Sequence, residues 1–232
     1  MTAYQKRLSV PNLYPINKKS NKWVVKSNPG PHSYEKSVPL LILLREYLRK
    51  VDTKKEAKYV LENGLALVDG RVRKAYRFPI GLFDVITLVP EKVSYRVLLT
   101  SKGNLTLKQV EDANVKLCRI NTKQKVKGGA IQIGLHDGTT LQVSEDYKTK
   151  DSLLLSIPDK KILKHLRYEE GSLVMITDGK QVGRIGKIKQ IEIKEGSSPN
   201  IVTIESQNGT FDTTDDYVFV IGEDKPELGG LI

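Results

Sequence analysis

Acid–base, nucleophilic or metal chemistry in this 232-residue chain would have to run through three histidines, one cysteine and the carboxylates. His32, His136 and His165 are far apart and form no HxxxH pattern, the spacing that sets two imidazoles on one helix face for a metal. Cys118 lies in an apolar, strand-like run, where a thiol acts as a small buried hydrophobe. A lone cysteine also excludes an internal disulfide framework, a CxxC redox pair and a Cys-rich zinc site. No GxSxG nucleophile elbow occurs. Gly186-Lys187 is not a phosphate-binding loop, because that motif needs a glycine where Gln181 stands and a hydroxyl where Ile188 stands. Asp112, Asp137, Asp146 and Asp151 have no companion motif. The expectation is a chain with no catalytic centre, metal, cofactor or small-molecule substrate.

The chemistry that remains is cationic. Between residues 45 and 58, Arg45, Arg49, Lys50, Lys54, Lys55 and Lys58 outnumber Glu46, Asp52 and Glu56. Arg71, Arg73, Lys74 and Arg77 follow closely, Lys18, Lys19 and Lys22 precede, and Arg184 and Lys187 form a later pair. A merely solvated helix face would mix the signs more evenly. The whole chain carries 38 Lys plus Arg against 27 Asp plus Glu, a net charge of +11. Thirteen of the bases, against four acids, fall in the first 60 residues, whereas residues 205–232 hold one base and seven acids. A charge excess gathered in one quarter of a chain is the footprint of a polyanion partner, and nucleic acid is the leading class.

The elements that must position these bases are short. Residues 1–37 carry Pro11, Pro15, Pro29 and Pro31 with lysines between them and keep no period. This predicts an extended basic arm with no regular element, disordered when free, with Trp23 as its anchor, packed on the module behind it in preference to stacked on a base. Pro39 and the apolar stripe Leu40, Leu41, Leu44, Tyr47 and Leu48 predict a helix over 39–49, capped by Ser37, with Arg45 and Arg49 on one flank. Thr53 and Glu56 form a capping box that opens a second helix over 54–62, and Gly64 stops it. Asp69-Gly70 then marks a two-residue hairpin leading into Arg71-Val72-Arg73.

From about residue 93 the pattern turns to β. Short runs at 95–100, 115–120, 131–135, 139–143 and 153–157 read as strands, Asp137-Gly138 as a second two-residue hairpin, and 160–166 as the one place where a helix would fit. Further strands are expected at 173–177, 187–193, 201–205 and 217–221. No run approaches the roughly 18 apolar residues of a membrane helix, and no apolar stretch follows the first charges. The expectation is an intracellular chain without a membrane partner.

Two stretches resemble known modules. Residues 38–88, with the basic second helix, Gly64, Val68-Asp69-Gly70-Arg71 and the closing Pro79, Gly81, Asp84 and Val85, resemble the small RNA-binding fold shared by ribosomal proteins, pseudouridine synthases and tyrosyl-tRNA synthetases. Residues 171–191, with Val182-Gly183-Arg184-Ile185-Gly186-Lys187-Ile188, resemble the KOW motif of ribosomal and transcription-elongation proteins. Together with Lys6-Arg7, Lys22-Trp23, Pro29-Gly30-Pro31-His32, Pro39-Leu40 and Val218-Phe219-Val220-Ile221-Gly222 in one order, the chain is similar from Lys6 to about Lys225 to the small-subunit ribosomal protein four family of the archaeal and eukaryotic ("e") type. The acidic end, in place of a long basic tail, points to the archaeal branch.

The resemblance implies an α+β, mostly β chain. Its expected segments are an arm (1–37), a helix–hairpin RNA-binding module (38–92), a middle β domain (93–169) and a C-terminal SH3-like KOW barrel (170–232). It implies a structural role in the cytoplasmic ribosome, with small-subunit rRNA, its 5′ domain in particular, and other small-subunit proteins as partners. The bases named above would contact RNA, and Gly64, Asp69, Gly70, Gly183 and Gly186 would be structural. The alternatives are an RNA-modifying enzyme, or a translation or transcription factor, that uses the same modules.

Overall fold

In the computed structural model the described residues are 3–14, 16–126, 128–196, 198–207 and 209–229, so Pro15 lies outside them. The chain divides into two compact units. One comprises Met1–Leu98, Asn104–Lys116 and Ile157–Asp159, and the other Leu99–Gly103, Leu117–Ser156 and Lys160–Ile232. Strand takes 41 % of residues and helix 12 %, so the chain is mostly β, as expected.

In the first unit, β1 (Tyr4–Lys6) and β2 (Trp23–Val25) pair antiparallel with Lys6 opposite Trp23. The arm expected to lack regular structure therefore contains a ribbon, whose three-residue strands are too short to show a period. Trp23 does not take the preferred packed position: it is 52 % exposed, while Tyr14, Val24 and Val25 are buried. β3 (Val38–Pro39) leads into α1 (Leu40–Ile42), which continues through one π turn, Leu43–Tyr47. Ser37 does not cap this helix: Pro39 holds the cap position, and the Ser37 hydroxyl donates to Ser33 O at 2.8 Å. The residues from Leu40 to Leu44 are all fully buried, so this is a core helix and not an amphipathic one. It also ends too early to carry Arg49, whose φ of 51° places it past the last turn and off the Arg45 flank.

The second helix, α2 (Lys54–Glu62), begins on the expected capping box, with Thr53 Oγ1 accepting from Glu56 N and the Glu56 carboxylate accepting from Thr53 N. Gly64, at φ 70°, ends it: Leu65 N donates to Val60 O and Gly64 N to Leu61 O, the paired bonds of a Schellman motif. Ala57 and Leu61 face the core. Asp69 (φ 49°) and Gly70 (φ 71°) make the type I′ turn between β4 (Ala66–Val68) and β5 (Arg71–Val72). β6 (Pro79–Ile80) pairs with β3, and β7 (Val85–Leu88), β8 (Val93–Leu99) and β9 (Leu105–Val110) complete a sheet of order β5-β4-β7-β8-β9. The sheet runs past residue 92, because the buried Val85–Leu88 strand takes β8 as its neighbour, with Val85 opposite Arg96. β8 and β9 thus extend the sheet of the helix–hairpin segment and do not join the sheet of the strands that follow.

β10 (Val115–Lys125) starts in the first unit and continues into the second. With β11 (Ile131–Leu135), β12 (Thr140–Val143), β13 (Ser152–Ser156) and β14 (Ile162–Leu166) it forms a sheet of order β12-β11-β10-β13-β14. Its core holds Cys118, Ile120, Ile133, Leu135, Tyr147, Leu153 and Leu155. The turn at Asp137-Gly138 spans three residues and not two: Leu135 N donates to Thr139 O, and Gly138, at φ 70°, supplies the left-handed position. The segment where a helix would have fitted is the strand β14. A second sheet, of order β18-β17-β16-β15-β19, is built from β15 (Leu173–Ile176), β16 (Ile185–Glu192), β17 (Ile201–Ser206), β18 (Gly209–Thr214) and β19 (Val218–Gly222). Its β15 and β19 are buried throughout. Among the described residues no helix is long and apolar enough to cross a membrane.

Candidate nucleic-acid interface

The outward side of α2 presents Lys54, Lys55 and Lys58 because Ala57 and Leu61 take the inward positions. Lys55 and Lys58 are exposed, while Lys54 is half-buried between two aromatic rings. Its ammonium lies 5.4 Å from the Tyr4 ring and 4.7 Å from the Tyr76 ring, and donates to the Tyr4 hydroxyl at 3.0 Å. Hydrogen bonds to Tyr4 and Tyr76 raise its pKa, so it stays cationic. Lys58 approaches the same Tyr76 ring at 5.8 Å. Tyr76, which sequence patterning does not single out, thus ties α2 to the post-hairpin segment, and Lys54 ties α2 to the arm through Tyr4.

The other bases are held separately. Arg45 pairs with Glu46 at 2.9 Å, and Glu46 also meets the buried Arg7 at 3.5 Å. Arg49 is exposed, and Lys50 pairs with Glu91 at 2.6 Å. Past the turn, the Arg71 guanidinium donates to Pro158 O at 3.4 Å, Arg73 stacks 4.7 Å from the Phe78 ring, and Lys74 is exposed. Arg77 stitches the arm in place: its Nε donates to Lys26 O at 2.8 Å, and Asn28 N donates to Arg77 O at 2.9 Å. On the arm, Lys18 donates to Val10 O and Asn12 Oδ1, while Lys19 and Lys22 are exposed. Aromatic rings and backbone carbonyls thus hold several of these bases in place.

Beneath the hairpin lies a buried charge cluster. Asp84 accepts from His32 Nε2 at 2.9 Å, from Gly81 N at 2.9 Å and from Lys116 Nζ at 2.6 Å. Lys116 also reaches the turn residue Asp69 at 2.7 Å, and Asp69 accepts from Val85 N at 3.0 Å. Burial alone would raise the Asp84 carboxyl, but His32 and Lys116 beside it hold it well below the usual carboxylate range. Gly81 is obligatory here, since a Cβ on it would lie 2.4 Å from the His32 ring. A His–Asp pair can serve catalysis, but this one is sealed: the His32 and Asp84 side chains are 5 % and 2 % exposed. Sequence motifs point to His32, Asp69 and Asp84, whereas Lys116 and the fully buried Arg96, which donates to Asp112 O and Val115 O, go unnoticed as strand cations.

In the second unit the buried Asp151 accepts from His165 Nε2 at 2.7 Å and from Lys148 N and Tyr168 N. Arg119 donates to Asp216 O and Val218 O and lies 5.9 Å from the Phe219 ring, against which the His136 ring packs edge-on. These histidines hold loops and sheets together. Among the described residues no group of His, Cys, Asp and Glu could hold a metal ion. Gly183, at φ 76°, leaves no room for a Cβ, which would come within 2.6 Å of Thr100 O; at Gly186 it would come within 2.5 Å of Glu205 O. Directly after these glycines, Arg184 is exposed, 5.8 Å from the Phe211 ring, and Lys187 is exposed and paired with Asp224 at 2.6 Å.

Comparison with known proteins matches three parts of the chain to family models: the RS4NT domain over residues 4–35, ribosomal family S4e over 91–162 and the KOW motif over 170–205. Small ribosomal subunit protein eS4 of Archaeoglobus fulgidus is 51 % identical over 228 residues, covering 97 % of each chain. The protein of that name from Methanocella arvoryzae is 46 % identical, again over 97 % of each. The crystal structure of the 30S ribosomal protein S4e from Thermoplasma acidophilum superposes with a TM-score of 0.69 at 37 % identity, covering 81 % of this chain and 96 % of that one. With relatives this similar along nearly its whole length, the chain belongs to ribosomal family S4e.

Proposed function

We propose that this protein is a structural constituent of the small ribosomal subunit, which binds small-subunit rRNA and supports translation without catalysing a reaction. The observation that carries this is the 51 % identity, over 97 % of both chains, to a protein named for that subunit. The physical support is a set of exposed cations on ordered elements: Lys55 and Lys58 on α2, Lys74 after the hairpin, Lys19 and Lys22 on the arm, and Arg184 and Lys187, each directly after an obligatory glycine. Folded RNA is recognised largely through shape and phosphates, which suits such positions.

In finer detail, we read the chain as an arm, a helix–hairpin RNA-binding module, a middle β domain and an SH3-like KOW barrel. Its location is the cytoplasmic ribosome, its rRNA site the 5′ domain, and its neighbours other small-subunit proteins. Sedimentation of a cell lysate at moderate salt tests this. The protein should travel with the small subunit in near one-to-one amount. A substoichiometric amount, or release before the other subunit proteins, would favour a modifying enzyme or a factor.

A further inference from the structure

One hollow on the arm has a composition unlike the rest of the basic surface. It is a cavity of about 460 Å³ lined by Lys6, Leu8, Lys18, Lys19, Asn21 and Lys22. That volume falls within the range of small-ligand sites. Leu8, in the short turn after β1, is 71 % exposed, an unusual place for a leucine, and together with the lysine stems it gives the hollow apolar walls. Among the described residues none of the four lysines has a carboxylate at ion-pair distance, whereas Arg45, Lys50 and Lys187 each have one. Lys18, one of the lining residues, is braced by Val10 O and Asn12 Oδ1.

Beside the hollow stands the one tryptophan of the chain. Trp23 is directly opposite Lys6 in the β1–β2 ribbon, so both side chains leave it on the same face, and the Lys22 ammonium lies 5.8 Å from the indole centroid. Apolar walls, a ring of unpaired cations and an exposed aromatic match one chemistry: a flat base with a phosphate on either side. A paired duplex keeps its bases stacked inside and offers only phosphates to such a site. We infer that this hollow captures a single unpaired nucleotide of an RNA chain, with its base over Leu8 beside Trp23 and its phosphates on the lysines. This rests on the RNA-binding reading above and specifies what the arm recognises.

The test uses the full-length protein and two labelled RNA hairpins, identical except that one carries a bulged adenosine. Anisotropy reports binding, and the emission of Trp23 reports contact at the arm. Both hairpins should bind, the bulged one about tenfold more tightly, as one stacked base would provide, and only the bulged one should quench the emission. Leu8→Ser, a change at an exposed position, should abolish the difference while leaving the unbulged hairpin bound as before. Equal affinity and equal emission for the two hairpins would overturn the inference and leave the RNA-binding reading intact. Failure of both hairpins to bind would overturn both. Quenching by free AMP at concentrations as low as those of the bulged hairpin would identify a mononucleotide site instead, and would also overturn it.

Discussion

Lys116 bridges two carboxylates, Asp69 and Asp84, with its side chain only 4 % exposed, and removing it would leave both acids facing each other in the interior. Breaking one partner out of a buried ion cluster costs about 3–5 kcal/mol, so Lys116→Met should lower the urea midpoint by a corresponding amount. The cluster also has a pH signature. The Asp84 carboxyl titrates lower in the folded chain than in the unfolded one, so its contribution is present above about pH 4 and is lost as the pH falls further. Asp84→Asn should therefore be the less stable protein at pH 7 and converge on the wild type as the solution is acidified, which melts between pH 3 and 7 would reveal. At this scale the sequence is legible where a motif marks the residue, as for Asp69-Gly70, Gly64 and the Pro29-Gly30-Pro31-His32 stretch. Lys116 is invisible because its partners lie 47 and 32 residues away, and nothing local distinguishes a bridging lysine from a solvated one.

Among the elements, α2 and the first hairpin follow directly from the capping box, the Schellman glycine and the Asp69-Gly70 turn, all of them local signals. Strands that escape through weak patterning are β18, where Phe211 is the only large apolar residue, and the three-residue strands of the arm; β9 escapes as well. β14 looks helical in sequence because Ile162, Leu163 and Leu166 satisfy both periods over so short a run. The glycines of the C-terminal sheet separate structure from function. A side chain at Gly186 would run into the backbone of β17, so Gly186→Val should fail to give soluble folded protein. Lys187 pairs with the exposed Asp224, and exposed pairs contribute about 0–1 kcal/mol. Lys187→Ala should thus melt within a few degrees of the wild type while binding rRNA fragments more weakly. A variant that melts early and binds normally would reverse the assignment.

For the whole molecule, the lopsided charge makes ionic strength the informative variable. Each phosphate neutralised by a base contributes a slope of about −0.7 to −0.9 to the logarithm of affinity against the logarithm of salt. Arg49 and Lys55 are both exposed and lie outside the core, whereas Lys54 is engaged with Tyr4 and Tyr76. The pair Arg49→Ala, Lys55→Ala should then reduce the slope for an rRNA fragment by about one to two units with an unchanged melting temperature. Parallel lines for variant and wild type would move the interface to the arm. The class of partner is legible from the uneven charge alone. The bracing of Lys54, Lys58 and Arg73 by aromatic rings is not, since it depends on Tyr4, Tyr76 and Phe78 meeting them in space.

The stitching of the arm by Arg77 and His32 has a thermodynamic consequence. With Lys26, Asn28 and His32 already bound to residues 77–84, the conformational entropy of this stretch is given up when the protein folds and not when RNA arrives. Titration calorimetry at several temperatures should accordingly give a heat-capacity change that matches rigid contact surfaces, without the excess of a segment folding on its target. Protease should cut the free chain, if at all, within residues 16–22, and spare the stretch from Ser27 to Pro39. An arm assembled in advance is an arm that arrives at its RNA as a shaped object, selecting among RNA conformations instead of adapting to them.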